Sequence, residues 1–193
     1  MDFRERVLKT RTYRRFEQAT PVALETLTEL VDMARLTGSA GNKQPLRYMI
    51  STDPGMNARI FPTLAWAGAI PDWPGPDEGE RPPAYVIITS DRDSWWDWSN
   101  VDLGIAAQTM LLEATGRGLG GCMIGSIKKK ELAAVLDLPE NLDLRMVIAL
   151  GVPVEEVVVH EVSPGSPLAY YRTPDHVHHV PKLTLQDVIA RRW

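Results

Sequence analysis

The sequence predicts a layered α+β domain, and three observations carry that prediction. Apolar runs of strand length, LRYMIS (residues 46–51), AYVIIT (84–89) and LRMVIALG (144–151), lie between segments of helical periodicity. The two kinds of segment mix without the strict alternation of a doubly wound sheet. The chain has 193 residues, 44% hydrophobic and 24% charged, which suits one substantial core, so a single domain over residues 1–193 is expected.

Each element has a local reason. Thr20 followed by Pro21 offers a hydroxyl cap and a first-turn proline. Leu24, Leu27, Val31 and Ala34 then recur at helical spacing, and Gly38 marks the stop. SAGNKQP (39–45) follows as a loop, before LRYMIS alternates as a strand. Residues 70–83, rich in proline and acid, read as a long surface loop. AYVIIT reads as a buried strand. Ser99 to Asp102 resembles a capping box with the aspartate in the reciprocal role. It opens LGIAAQTMLLEATGRG, apolar on several faces and hence expected to be nearly enclosed. LGGCMIG (119–125) leaves that helix as strand or loop. KKKELAAVL (128–136) is a short amphipathic helix, and TLQDVIARR closes the chain as helix or strand.

Charge and cysteine content exclude several classes. A net charge of −4 argues against a nucleic-acid-binding surface. Cys122 is the single cysteine, so no intrachain disulfide forms, and a reducing cytosol fits. The opening MDFRERVLKT lacks the apolar core of a signal peptide. The longest apolar run (146–154) is far shorter than the ~20 residues of a membrane span, so a cytoplasmic protein is expected.

Several short segments carry chemistry. RTYRRF (11–16) concentrates three guanidinium groups and two hydroxyls, the donor set of a phosphate site, although a solvated basic run has the same composition. Ser39, Asn42 and Gln44 could match the edge of a flat heterocycle, with Ala40 and Gly41 permitting close backbone approach; a plain helix-to-strand turn reads the same way. GRGLGG (116–121) superficially suggests a dinucleotide fingerprint, but it closes a helix instead of opening one, so Gly116 or Gly118 is better read as a C-cap. His176 and His178 share a face if HVHH is extended, yet only Asp175 stands near them and no metal is expected. Trp66, Trp73, Trp95, Trp96 and Trp98 suit either a ligand cover, a subunit contact or ordinary packing. Cys122 has no cation beside it and reads as an inert thiol. Neither a nucleophile elbow nor a paired-carboxylate signature is present.

In register, these segments resemble the nitroreductase family of FMN-dependent oxidoreductases. RTYRRF is similar to its Arg/Ser-rich opening, and SAGNKQP to its S-A-x-N-x-Q-P loop. DLGIAAQTMLLEATGRGLGGCMIG is similar to its central helix and glycine-rich strand, and RMVIALGVPVE and HHVPKLTLQDVI also fit. The resemblance implies a central mixed or antiparallel sheet flanked by helices, in a homodimer with two FMN sites at the interface. It implies that Arg11, Thr12, Arg14 and Lys182 hold the phosphate and ribityl chain. Ser39, Asn42 and Gln44 would meet the flavin from the partner subunit, and Met123, Ile124, Gly125 and Ser126 would lie along its ring. The implied chemistry is ping-pong hydride transfer at flavin N5. The hydride comes from NADH or NADPH and passes to a nitroaromatic, a quinone or a similar acceptor, with no catalytic side chain.

The sequence departs from the family pattern at Thr10 and Thr184, where relatives have basic residues, and at Leu46, where an aromatic is common. No lysine lies between Lys43 and Lys128; Arg47 is a candidate replacement for a family lysine near flavin N1. Two alternatives accompany the enzyme reading: a flavin-binding sensor or carrier, and a reductive dehalogenase or flavin-modifying enzyme with a lid from residues 70–83.

Overall fold

A computed structural model describes residues 1–70 and 73–193. The contacts divide it into two compact units: residues 1–66 with 74–154, and residues 67–73 with 155–193.

The first unit is built on a four-stranded antiparallel sheet in the order β1-β2-β4-β3. Its strands are β1 (Leu46–Ser51), β2 (Ala84–Asp91), β3 (Gly120–Ile124) and β4 (Leu142–Gly151). Every residue of β2 from Ala84 to Ser90 is buried, so the strand is covered on both faces, which is why it opens on an unbroken apolar run at residues 84–88. Ala84, Val86 and Ile88 point to the face shared with α2 (Leu24–Arg35) and α4 (Ser99–Gly116), where Leu27, Leu30, Ala107 and Met110 complete the core. Tyr85 and Ile87 point the other way, the side of α3 (Pro54–Ile60). The remaining helices of this unit are α1 (Phe3–Lys9), whose cap is a complete box of Asp2 and Glu5, and α5 (Lys129–Leu136).

The end of α4 fixes how the chain enters β3. Gly118 has φ +78, its N–H donates to Thr115 O, and Leu119 N–H donates to Ala114 O. This is a Schellman cap, so the glycine-rich segment closes a helix as expected. Gly121 then sits where a Cβ would come within 2.8 Å of the Ala149 carbonyl and 2.6 Å of Leu111. Gly121→Ala should therefore cost about 1–3 kcal/mol by overpacking, seen as a lower urea midpoint with an unchanged slope.

Four sequence expectations need correction. The second helix starts at Leu24, not at Thr20: the chain stays extended to Ala23, which lets Val22 reach the core, and no side chain caps the helix. The capping box at Ser99 does not form, because Asp102 is engaged elsewhere and Ser99 Oγ accepts from Trp96 N–H at 3.1 Å. Helix α4 is not enclosed; Asn100, Val101, Gly104, Ile105 and Gln108 leave a face open. His176 lies in a turn at φ +67, ahead of the strand that holds His178, so the two do not share a strand face.

In the second unit, β5 (Val157–Val162) pairs parallel with β7 (His178–Leu183), and β6 (Tyr171–Arg172) pairs antiparallel on its other side. The chain's final regular element is the single turn α6 (Leu185–Val188), capped by Thr184. Arg172 reaches the buried Glu155 at 3.0 Å and stacks over Trp73 at 4.6 Å. The expected loop at 70–83 has residues 71 and 72 outside the described residues. Its later part is held to the first unit by Phe16 N–H to Glu80 O and Gln18 N–H to Gly79 O. Among the described residues no helix is long and apolar enough to cross a membrane.

Candidate functional site

The first of the chemistry-bearing segments lies against the edge strand β3. Thr12 bridges Gly121 in parallel register, and Tyr13 N–H donates to Gly121 O at 3.0 Å. These bonds fix Thr12 beside Gly121, with Arg11 one residue earlier at the start of β3. The segment is not a solvated run: Arg14 is 7% exposed, and Arg15 donates both Nε and Nη2 to Glu80 at 2.5 Å. Arg11 is half-buried and gives Nη2 to Val7 O at 2.7 Å, yet among the described residues no carboxylate pairs with it. Burial lowers its pKa from the ordinary arginine value, with Tyr13 acting the other way. A partly desolvated cation without a counter-ion beside an exposed threonine is the chemistry an anionic tail needs. Past β3, Gly125 is exposed, and a Cβ there would meet nothing within 4 Å. The residues at this edge thus fit a phosphate-bearing group whose flat part runs along open backbone.

Thr10 shows why a basic residue is absent at its position. It is buried, with Oγ1 2.8 Å from Arg6 O and 2.9 Å from Thr115 Oγ1, tying the segment to the last turn of α4.

The SAGNKQP loop is held at the other end of α4. Buried Asp102 accepts from Ser39 Oγ at 2.7 Å and from Ala40 N–H at 3.0 Å. Ser39 Oγ in turn accepts from Gln44 N–H at 3.0 Å. Ser39 is therefore spent on shaping the loop, which turns through positive φ at Gly41, Asn42 and Gln44 and leaves Asn42 and Gln44 exposed. Lys43 covers the Trp96 ring at 4.2 Å, and Arg145 covers Trp95 at 3.8 Å. Arg47 is paired with Asp91 at 2.7 Å.

One chain does not bring the two groups together. β1, which the loop precedes, and β3 are opposite edges of the sheet, three strand spacings or roughly 14 Å apart. Asp102 and Thr115 are separated along α4 by roughly 20 Å at 1.5 Å per residue. Lys182 lies in the second unit, exposed on β7 in register with Glu161. Cys122 is buried, with Sγ 3.7 Å from Met123 O. Sequence reasoning missed Asp102, the anchor of the loop, because its partners lie more than sixty residues away and carry no local signature.

The nitroreductase family model matches residues 7–152, which includes both edge groups and leaves out Lys182. A protein of Archaeoglobus fulgidus named as an NADH dehydrogenase/NAD(P)H nitroreductase is 23% identical over 184 residues, covering 90% of this chain and 95% of that one. The nitroreductase family protein of Streptococcus pneumoniae TIGR4 superposes with a TM-score of 0.68 at 15% identity, over 99% of this chain and 100% of that chain. An FMN-dependent nitroreductase of Clostridium difficile R20291 gives 0.64 at 20% identity, over 78% and 87%. With three-quarters of its length inside the family model and the family's fold throughout the first unit, this chain belongs to the nitroreductase family.

Proposed function

We propose that this protein is an FMN-dependent oxidoreductase. It takes a hydride from NAD(P)H and passes it to a small electron-poor acceptor such as a nitroaromatic or a quinone. It works as a homodimer with a flavin site at each subunit seam. The observation that carries the reading is the uncompensated Arg11 cation fixed with Thr12 beside β3. The names of the Archaeoglobus and Clostridium relatives support the cofactor and the reductant.

Bound FMN supplies the hydride-accepting ring. The chain's own residues hold and orient it. Arg11, Thr12 and Arg14 take the phosphate and ribityl chain. Met123, Ile124, Gly125 and Ser126 border the ring, and Asn42 and Gln44 of the SAGNKQP loop reach it from the partner, with Ser39 setting the loop. Separation of the two groups within one chain supports this shared arrangement, as does the open apolar face of α4.

Purification and a visible spectrum test the reading. Flavin bands, and NAD(P)H oxidation coupled to menadione or a nitrofuran, are expected; a colourless protein that takes up no added FMN would overturn it. Arg14→Ala should weaken FMN binding roughly 10- to 150-fold, since a charge-assisted contact contributes about 1.5–3 kcal/mol. Equilibrium dialysis measures this, and unchanged affinity would remove Arg14 from the set. One observation favours a flavin carrier or sensor as the second reading. Thr10 is locked into α4 and Thr184 caps a helix, so neither position adds a cation to the phosphate set. Bound flavin without steady-state turnover would select it.

A further inference from the structure

A cavity of about 280 Å3 opens on the α3 side of the sheet in the first unit and contains none of the residues assigned to the flavin. Tyr85 of β2 lines it and is fully buried, and among the described residues its hydroxyl has no hydrogen-bond partner. Burial raises the Tyr85 pKa far above its ordinary value despite Arg81, so the hydroxyl remains a donor at neutral pH. An unsatisfied buried hydroxyl is costly, and such groups call for a partner.

The same cavity is lined by Arg81. Its guanidinium lies 4.5 Å over the Phe61 ring, its buried Nε makes no hydrogen bond, and it joins no ion pair among the described residues. Gln18 accepts with Oε1 from Gly79 and Arg81 N–H groups, which leaves its amide nitrogen as a further donor. Asn57 adds nothing, because it accepts from Ser51 and donates to Pro83. Among the described residues, the exposed Glu78 is the one carboxylate in the lining. Apart from Glu78 and the Thr52 hydroxyl, the polar groups on offer are donors and a cation, set among the apolar walls of Phe61, Pro54, Pro82 and Pro83. The size falls just under the roughly 300–1,000 Å3 of common ligand sites, which limits the occupant to a small molecule.

We infer that this cavity binds a small aromatic carboxylate, its anion held by Arg81 and Tyr85 and its ring packed among Phe61 and the prolines. The site stands independently of the flavin reading. Titration calorimetry of the full-length protein, supplied with FMN, tests it with benzoate as probe. Benzoate should bind with the visible flavin spectrum unchanged, and neutral benzamide and inorganic phosphate should each bind at least about tenfold more weakly. Arg81→Gln should weaken benzoate by at least about tenfold. Tyr85→Phe should weaken it severalfold while leaving the melting temperature of the ligand-free protein unchanged or higher, because the hydroxyl has no partner to lose. The assignment is overturned by absence of benzoate binding at millimolar concentration, or by affinity that ignores both substitutions. Equal binding of benzamide or phosphate, or benzoate binding that perturbs the flavin bands, overturns it too.

Discussion

Ile105→Arg should yield a monomer that loses FMN during gel filtration. Helix α4 is apolar around most of its circumference, and one side packs into the core through Leu103, Ala107, Met110 and Leu111. The other side leaves Ile105 41% and Val101 47% exposed, with Gly104 between them allowing close approach. If that face is the subunit seam, a guanidinium at its centre must be desolvated in place of an apolar side chain, at a cost of several kcal/mol per subunit. Dimer affinity should fall by more than about a hundredfold, since 1.4 kcal/mol is tenfold. Because the loop that reaches the flavin comes from the partner in this arrangement, cofactor retention should fall with it. Sedimentation velocity and the flavin-to-protein ratio read both effects. A variant that stays dimeric and yellow would place the seam elsewhere.

Asp102→Ala should lower both stability and FMN affinity, although Asp102 is assigned no contact with the cofactor. Its carboxylate accepts from Ser39 and Ala40, and removing it strands two donors at a buried position. A loss of about 2–3 kcal/mol corresponds to roughly 5–10 °C in melting temperature for a chain of this size. The released loop would no longer hold Asn42 and Gln44 in their positive-φ turn. Calorimetric melting and equilibrium dialysis measure the two losses. Asp102→Asn, which keeps one acceptor, should restore part of each. A melting temperature within a degree of the parent's would show that the loop does not depend on this anchor.

What the sequence made legible follows from how local each signal is. β2 and β4 were readable because their doubly covered stretches, residues 84–88 and 147–151, show no polar interruption, and both strands appear where the apolar runs predict. A glycine C-cap at Gly116 or Gly118 was readable because a left-handed C-cap needs nothing beyond its own neighbours, and the structure places it at Gly118. The start of α2 was not, because the demand of the core on Val22 overrides a good capping pair at Thr20-Pro21. Nor was the open face of α4, since a helix apolar all round gives no phase from which to tell an inner side from an outer one. At the site, residue types were legible and partnerships were not. Ser39 reads as a ligand contact, and its hydroxyl also latches the loop to Asp102; Thr10 reads as a lost cation and is a buried hydroxyl bridge.

The two latches at opposite ends of α4 make the helix a ruler. Deleting one residue between Asp102 and Thr115 would turn one latch relative to the other by about 100° and shorten the interval by 1.5 Å. Both tethered segments could not then keep their partners. Length variation should therefore be barred from this stretch while remaining open to the exposed turn at residues 139–141.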